Sequence, residues 1–348
     1  MPPLKVFVFD YATGATATDG TPPASLRRQS QMMLHALLGD LGQVPGIALV
    51  TLETPAAPET MDAPRTPWMH ATPAASGAFQ RRFNACVQAA DAVWPLAPEA
   101  GGMLERLSRQ VLRHQRILLG SQPQALRVAA SRLRTARVLA RAGIAVVPTY
   151  APGQPRPATH NAWVVKPDVG ADYEDTRIFS TAEAALAWIA DRAGYVLQPF
   201  IAGKLGSLSL LCRDGVAQLL GCNEHRIAVR DNQFHLLGTT VNSLPDSDGA
   251  FARLGQKVAR ALPGLWGHAG IDFVLAEHGI TVLAVHARMT PSYAGLHASL
   301  GCNPAAMVLD LLTPPSGASS GAGTGIGSPR SVVKPVAVSV DVAAFDGA

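Results

Sequence analysis

Charged residues are scarce, at 16% of 348, and aromatics scarcer still, at 6%. Apolar residues make up 48%, so the chain is neither disordered nor collagen-like and is long enough to bury a sizeable core. The basic excess is small, 29 Lys and Arg against 25 Asp and Glu. No basic block is interleaved with aromatics, which excludes nucleic acid and a membrane surface as expected partners. No apolar run approaches the ~18 residues of a membrane span, so an integral membrane protein is not expected. Nor does the N-terminus, Met1-Pro2-Pro3-Leu4-Lys5, carry the apolar core of a secretory signal. Cysteines are few (Cys86, Cys212, Cys222 and Cys302) and show no C-x-x-C spacing. Reduced thiols in a cytoplasmic protein are the expectation, and zinc is not.

Several motifs are also missing. Gly14 to Gly20 lacks the G-x-G-x-x-G spacing of dinucleotide binding. Gly321 to Gly327 is not followed by Lys-Ser/Thr and reads as a linker. There is no G-x-S-x-G or paired Cys/His signature. His225, His235, His268, His278 and His297 show no metal-ligand spacing and read as surface or hydrogen-bonded histidines.

What is present is an alternation of short apolar runs and amphipathic segments. Val6 to Phe9, a helix from about Ser25 to Leu41, and Ile47 to Leu52 follow a β-loop-α-β order, which suggests a small parallel sheet. After a Pro- and Thr-rich excursion at 54–76, a helix near 79–90 and a strand at 91–96 continue this α/β layer. An Arg-rich helix is expected over 123–142, stopped by Gly143, then a short strand at 146–149. Strand 163–167, helix 181–193, strand 195–198, a long antiparallel run over 207–241, helix 248–261 and a hairpin at 270–288 follow. Residues 314–329 are Gly-, Ser- and Pro-rich, and 332–340 could add a terminal strand.

Two constellations carry chemistry. In the hairpin, Ile271, Phe273 and Leu275 alternate with Asp272, so the aspartate lies on the face away from the large apolar residues. A three-residue loop at 277–279 would set Asp272 opposite Ala284, with His286 and Arg288 further along that face. Two readings stand: an ion shared across the ribbon, or a plain strand pair with Asp272 salt-bridged to Arg288. The second constellation is Lys166, ending the apolar strand Trp163-Val164-Val165. It could hold a phosphate as a point charge, or it could be a surface lysine. The loop after it, 168–175, has one glycine and four carboxylates and makes a poor phosphate cradle.

Together these pieces resemble an ATP-grasp carboxylate–amine ligase, and most closely the tyramine–glutamate ligase group of methanofuran-type cofactor biosynthesis. The resemblance rests on Val8-Phe9-Asp10-Tyr11-Ala12-Thr13-Gly14, Ala97-Pro98-Glu99, Leu119-Gly120-Ser121 and Val164-Val165-Lys166-Pro167. It continues through Gln198-Pro199-Phe200-Ile201-Ala202-Gly203, Gly270-Ile271-Asp272-Phe273, and Arg288-Met289-Thr290-Pro291-Ser292-Tyr293-Ala294-Gly295-Leu296. It implies an α/β fold, α+β in the C-terminal part. The parts would be an N-terminal α/β domain (1–122), a lid (123–200), a C-terminal antiparallel sheet (201–312) and a tail (313–348). ATP would lie between the lid and the C-terminal sheet, and a carboxylate would be activated as an acyl phosphate for attack by an amine.

By the same resemblance, Lys166, Arg132, Gln198, Phe200, Ile201 and Gly170 would bind ATP. Arg288 and Lys166 would be catalytic. Tyr11, Thr13, Gly14, Thr290, Ser292 and Tyr293 would meet the amino-acid or amine substrate, and Asp272 with His286 would hold Mg²⁺. A homo-oligomer or a partner subunit is compatible with such a protein. The sequence departs from the family where the chemistry sits. The family's metal strand Glu-x-Asn-x-Arg is Ala284-Val285-His286-Ala287-Arg288 here, a poor magnesium site. The Asp-Lys that opens the lid is Ser131-Arg132, Asp172 and Tyr173 stand where glycines are expected, and Glu-Gly in the first helix is Gln29-Ser30. The hinge Gln-Glu is Gln198-Pro199. The alternatives are therefore a ligase and an ATP-grasp-fold pseudoenzyme that binds a metabolite or partner without phosphoryl transfer.

Overall fold

The computed structural model describes residues 2–11, 24–50, 76–157, 162–170, 175–313 and 335–342. The N-terminal part alternates strand and helix: β1 (Leu4–Asp10), α1 (Ala24–Gly42), β2 (Ile47–Val50), α2 (Ser76–Ala89), β3 (Ala92–Leu96), α3 (Met103–Arg113) and β4 (Ile117–Leu118). Their strands form a parallel sheet in the order β2-β1-β3-β4. Strand order reverses between β1 and β3, and in open parallel sheets such a point opens a crevice beyond the carboxyl ends of the strands. Tyr11 and Glu99 follow those two ends. Buried Phe7, Phe9 and Phe83 stack together behind the sheet, with Phe9 and Phe83 edge-to-face at 5.1 Å.

Two helices, α4 (Pro123–Ala129) and α5 (Arg132–Arg141), replace the single helix expected over 123–142. Ser131 breaks the run by acting as an N-cap: its hydroxyl accepts from the Arg134 N–H at 3.2 Å. The Asp168 carboxylate adds a second cap by accepting the Leu133 N–H at 2.8 Å. Gly143 ends α5 at a φ of 70°, a left-handed position that suits glycine. The expected strand at 146–149 is reduced to one bridge, Val146 to Val282.

The rest builds one large antiparallel sheet. Its strands are β5 (Trp163–Pro167), β6 (Arg177–Phe179), β7 (Tyr195–Pro199), β8 (Lys204–Arg213), β9 (Val216–Arg230) and β10 (Gln233–Val241). They are completed by β11 (Gly267–Ala276), β12 (Gly279–His286) and β13 (Val338–Asp341). The order is β12-β11-β8-β9-β10-β6-β5-β7, with β13 pairing to β10. The terminal strand thus packs on the outer edge of β10, beside the point where β6 joins it.

Helix α6 (Ala182–Ile189) covers the back of the β5-β6-β7 end, against Trp163, Val165 and Leu197. Helix α7 (Ala250–Ala261) covers the back of the β8-β11 end, where Phe251 meets Phe273 at 5.0 Å. Each such fully buried aromatic or leucine contributes about 1.5–3 kcal/mol. Helices α8 (Tyr293–Leu300) and α9 (Pro304–Asp310) tie this sheet to α1. No helix among the described residues is long and apolar enough to cross a membrane.

Candidate functional site

Registers carry one face across the whole sheet. Asp272 pairs with Ser207, and Ser207 with Asn223. Alternation along β9 then puts His225, Ile227 and Val229 on the same side. Ile227 pairs with Leu236 and Val229 with Phe234. At the junction with β6, Gln233 pairs with Arg177 on the opposite side, which returns Ile178 to the front. Ile178 pairs with Val164, and Val164 with Gln198. Lys166, two residues beyond Val164, completes the row. The front of this sheet therefore has two polar ends, one bearing Asp272 and the other Lys166. Between them lies an apolar strip on which Val229 is 53% exposed.

Lys166 is only 9% exposed, so it is not a surface lysine. The buried Gln198 beside it donates to the Thr149 hydroxyl at 2.8 Å. After β7, Phe200 is exposed and Ile201 half-buried, and the Phe200 N–H donates to the Ala162 carbonyl at 2.9 Å. Gly203 lets this chain cross β11: a Cβ there would lie 2.6 Å from the Leu275 carbonyl oxygen. Arg132 is buried, and its Nη1 donates to the Pro167 carbonyl at 2.7 Å. That ties α5 to the end of the lysine strand. Gly170 is half-buried after it. Asp172 and Tyr173, like Thr13 and Gly14, lie outside the described residues.

The hairpin sets Asp272 opposite Ala284, but not by the expected three-residue loop. Ala276 pairs with Gly279 across a two-residue turn, and a bulge between Asp272 and Phe273 restores the offset. Asp272 makes its bond to His286, not to Arg288: His286 Nε2 lies 3.1 Å from Asp272 Oδ2. The other ring nitrogen, Nδ1, faces Glu99 Oε2 at 3.4 Å. Glu99 Oε1 accepts the Ala287 N–H at 3.1 Å and lies 3.9 Å from Arg288 Nε. Asp272, His286 and Glu99 are all at least 94% buried. The Glu99 loop, leaving β3 at the crevice of the parallel sheet, thus docks on the end of β12.

These residues do not fit a magnesium ion. Ala284 offers no ligand, and both nitrogens of His286 face carboxylates. Mg²⁺ prefers six oxygens and keeps several waters, whereas the side chains of this cluster are buried. Among the described residues no group of three or more His, Cys, Asp or Glu is placed to hold a metal. Asp272 and His286, expected from the resemblance to hold Mg²⁺, face each other directly, with His286 Nε2 3.1 Å from Asp272 Oδ2.

Below Asp272 the front stays polar. Asn223 Nδ2 donates to Ser207 Oγ at 3.2 Å and Ser209 Oγ at 3.0 Å. His225 reaches Ser207 at 2.9 Å. Ser292 bonds both Ser209 at 3.0 Å and Thr290 at 2.9 Å, anchoring the 287–292 loop onto the sheet. In the sequence Glu99 stands only as part of a motif and His225 reads as a surface or hydrogen-bonded histidine, while Ser207, Ser209 and Asn223 carry no reading. The signal for them was the alternation Ser207-Leu208-Ser209-Leu210 and Asn223-Glu224-His225.

Tyr293 does not join this surface. It is 2% exposed in the core, and its hydroxyl donates to Asp40 Oδ2 at 2.7 Å. Burial, with Asp40 adding to it, pushes the Tyr293 phenol above its ordinary range. His268, stacked on Trp94 and edge-on to Tyr293, is pushed down to about 4 by burial. Tyr11 is half-buried against the N-terminal core. Arg288 donates from Nη1 to the Met289 carbonyl at 2.9 Å and borders a small cavity. Leu96, Gly120 and Ser121, at the carboxyl ends of β3 and β4, form part of its wall.

Comparison with known proteins agrees with this architecture. Residues 129–292 match the family profile described as ATP-grasp domain, and residues 50–126 match the one described as pre ATP-grasp 3 domain. An ATP-grasp superfamily protein from Archaeoglobus fulgidus superposes with a TM-score of 0.67 at 18% identity, covering 88% of each chain. L-amino acid ligase from Bacillus licheniformis gives 0.60 at 14% identity, over 89% of this chain and 73% of that one. N5-carboxyaminoimidazole synthetase from Staphylococcus aureus, complexed with ADP, gives 0.61 at 13% identity, over 88% and 76%. No curated protein sequence matches the chain. The chain has the ATP-grasp fold.

Proposed function

We propose that this protein is an ATP-dependent carboxylate–amine ligase that seats its nucleotide on the front of the large sheet. The observation that carries the reading is the continuous face running from Lys166 and Gln198, over the exposed apolar strip at Val229, to Asp272. A purine needs a half-exposed apolar bed, and its phosphates need a fixed cation, and this face offers both. Lys166 is the phosphate-facing cation, with Phe200, Ile201 and Gln198 at the hinge beside the base. Arg132 holds the end of the lysine strand in place, and Gly170 follows that strand.

The reaction would transfer the γ-phosphoryl group of ATP to a carboxylate oxygen, releasing ADP and leaving an acyl phosphate. The amine nitrogen then attacks the carbonyl carbon, phosphate leaves, the nitrogen loses a proton and an amide remains. Arg288, between Glu99 and the cavity at the ends of β3 and β4, would face the acyl phosphate. Thr290, Ser292 and Tyr11 would line the acid and amine side. A name such as L-amino acid ligase, borne by a protein of this fold, supports amide formation between small molecules. The finer reading, glutamate joined to a tyramine- or tyrosine-like amine in methanofuran-type cofactor biosynthesis, is supported by the sequence resemblance.

The closed contact between His286 and Asp272 favours a second reading, nucleotide binding without phosphoryl transfer. Incubation with Mg-ATP, glutamate and tyramine or tyrosine separates the two. ADP with an amide product is the expected result. No ADP across a broad panel of acids and amines would leave the binding protein.

A further inference from the structure

The cluster at the crossing of β12 and the Glu99 loop has a composition of its own. Two carboxylates, Asp272 and Glu99, approach one imidazole from opposite nitrogens, at 3.1 Å and 3.4 Å. An ionised carboxylate only accepts, so this pairing is complete when the His286 ring has hydrogen on both nitrogens. Arg288 stands 3.9 Å from the second carboxylate. The side chains of His286, Asp272 and Glu99 are almost wholly buried.

We infer that this chain holds no divalent cation at the β11–β12 ribbon: the His286 side chain stands there instead, and nucleotide binding does not depend on Mg²⁺. Three observations bear on it independently. The residue directly across from Asp272 is Ala284, whose methyl group is no ligand. To ligate, His286 would have to give up one carboxylate. A cation entering would also bring water into a cluster whose three side chains are at most 9% exposed. The dependence of nucleotide binding on this cluster rests on the reading of the front face given above; the exclusion of a cation does not.

The test uses the full-length protein and Mn²⁺ as a paramagnetic stand-in for Mg²⁺, titrated without nucleotide and followed by electron paramagnetic resonance. ADP is then titrated calorimetrically in EDTA and in excess MgCl₂. The expected results are no stoichiometric Mn²⁺ site and ADP affinities that agree within about threefold. The double variant Ala284→Glu with His286→Asn, which restores oxygen ligands, should gain a Mn²⁺ site. A wild-type Mn²⁺ site that disappears in Asp272→Asn would overturn the inference, whatever the double variant does. So would ADP binding at least tenfold tighter with magnesium. A silent Mn²⁺ titration with no ADP binding in either buffer would uphold cation exclusion and remove the nucleotide reading instead.

Discussion

Asp272 and His286 are diagonal neighbours on facing strands, and the ring Nε2 lies 3.1 Å from the carboxylate Oδ2. Glu99, 187 residues away from His286 in sequence, meets the other side of the same ring. This imidazole is one of the contacts that join the parallel sheet to the antiparallel one. Replacing it by alanine would leave two buried carboxylates without their shared partner, and breaking such pairs costs about 3–5 kcal/mol. Urea denaturation of His286→Ala should show a loss of that order. A loss below about 1 kcal/mol would mean that the ring contributes little to the join.

Gly203 carries a geometric prediction. A methyl group there would lie 2.6 Å from the Leu275 carbonyl oxygen and 2.7 Å from Val274 Cγ2. Relief requires β8 to shift away from β11, at a cost of about 1–3 kcal/mol. Gly203→Ala should lower the denaturation midpoint accordingly, and an unchanged midpoint would contradict the close crossing.

His268 gives a pH dependence. Burial lowers its pKa from 6.5 to about 4. Between those values the unfolded chain binds a proton that the folded chain does not. Its contribution to stability is therefore present above the ordinary value and lost as pH falls toward the folded value, up to roughly 3 kcal/mol. His268→Phe keeps a flat ring beside Trp94 and removes the titration. The stability difference between wild type and this variant, measured by chemical denaturation at several pH values, should shift in favour of the variant below pH 6.5. A difference independent of pH would contradict the burial.

Lys166 tests the nucleotide end of the sheet. Lys166→Ala should weaken ADP at least roughly tenfold, about 1.4 kcal/mol. Lys204→Ala, whose ammonium pairs with Glu224 at the start of β8, should leave ADP affinity unchanged. Equal effects of the two would argue against a specific phosphate contact.

The order of elements was legible because periodicity and turn residues are local. Asp272 opposite Ala284 was also legible, although by a mistaken route, since a shorter turn and a bulge compensate. The break at Ser131 was hidden because its second cap, Asp168, comes from a distant loop. For the same reason the Glu99–His286 contact left no local pattern. Tyr293 lay within a strong motif, yet its hydroxyl finds Asp40 on α1, a partner that spacing along the chain does not reveal. Ser207, Ser209 and Asn223 were visible as alternating polar positions, but only the sheet registers show that they share a face with Asp272.

The most direct measurement is photolabelling of the full-length protein with an ATP analogue bearing an azide on the purine, with the modified residues located by mass spectrometry. Label on Phe200, Ile227, Val229, Phe234 or Leu236, competed away by ADP, is the predicted result. Competed label confined to the parallel sheet or its helices would contradict the placement of the nucleotide on the front of the large sheet.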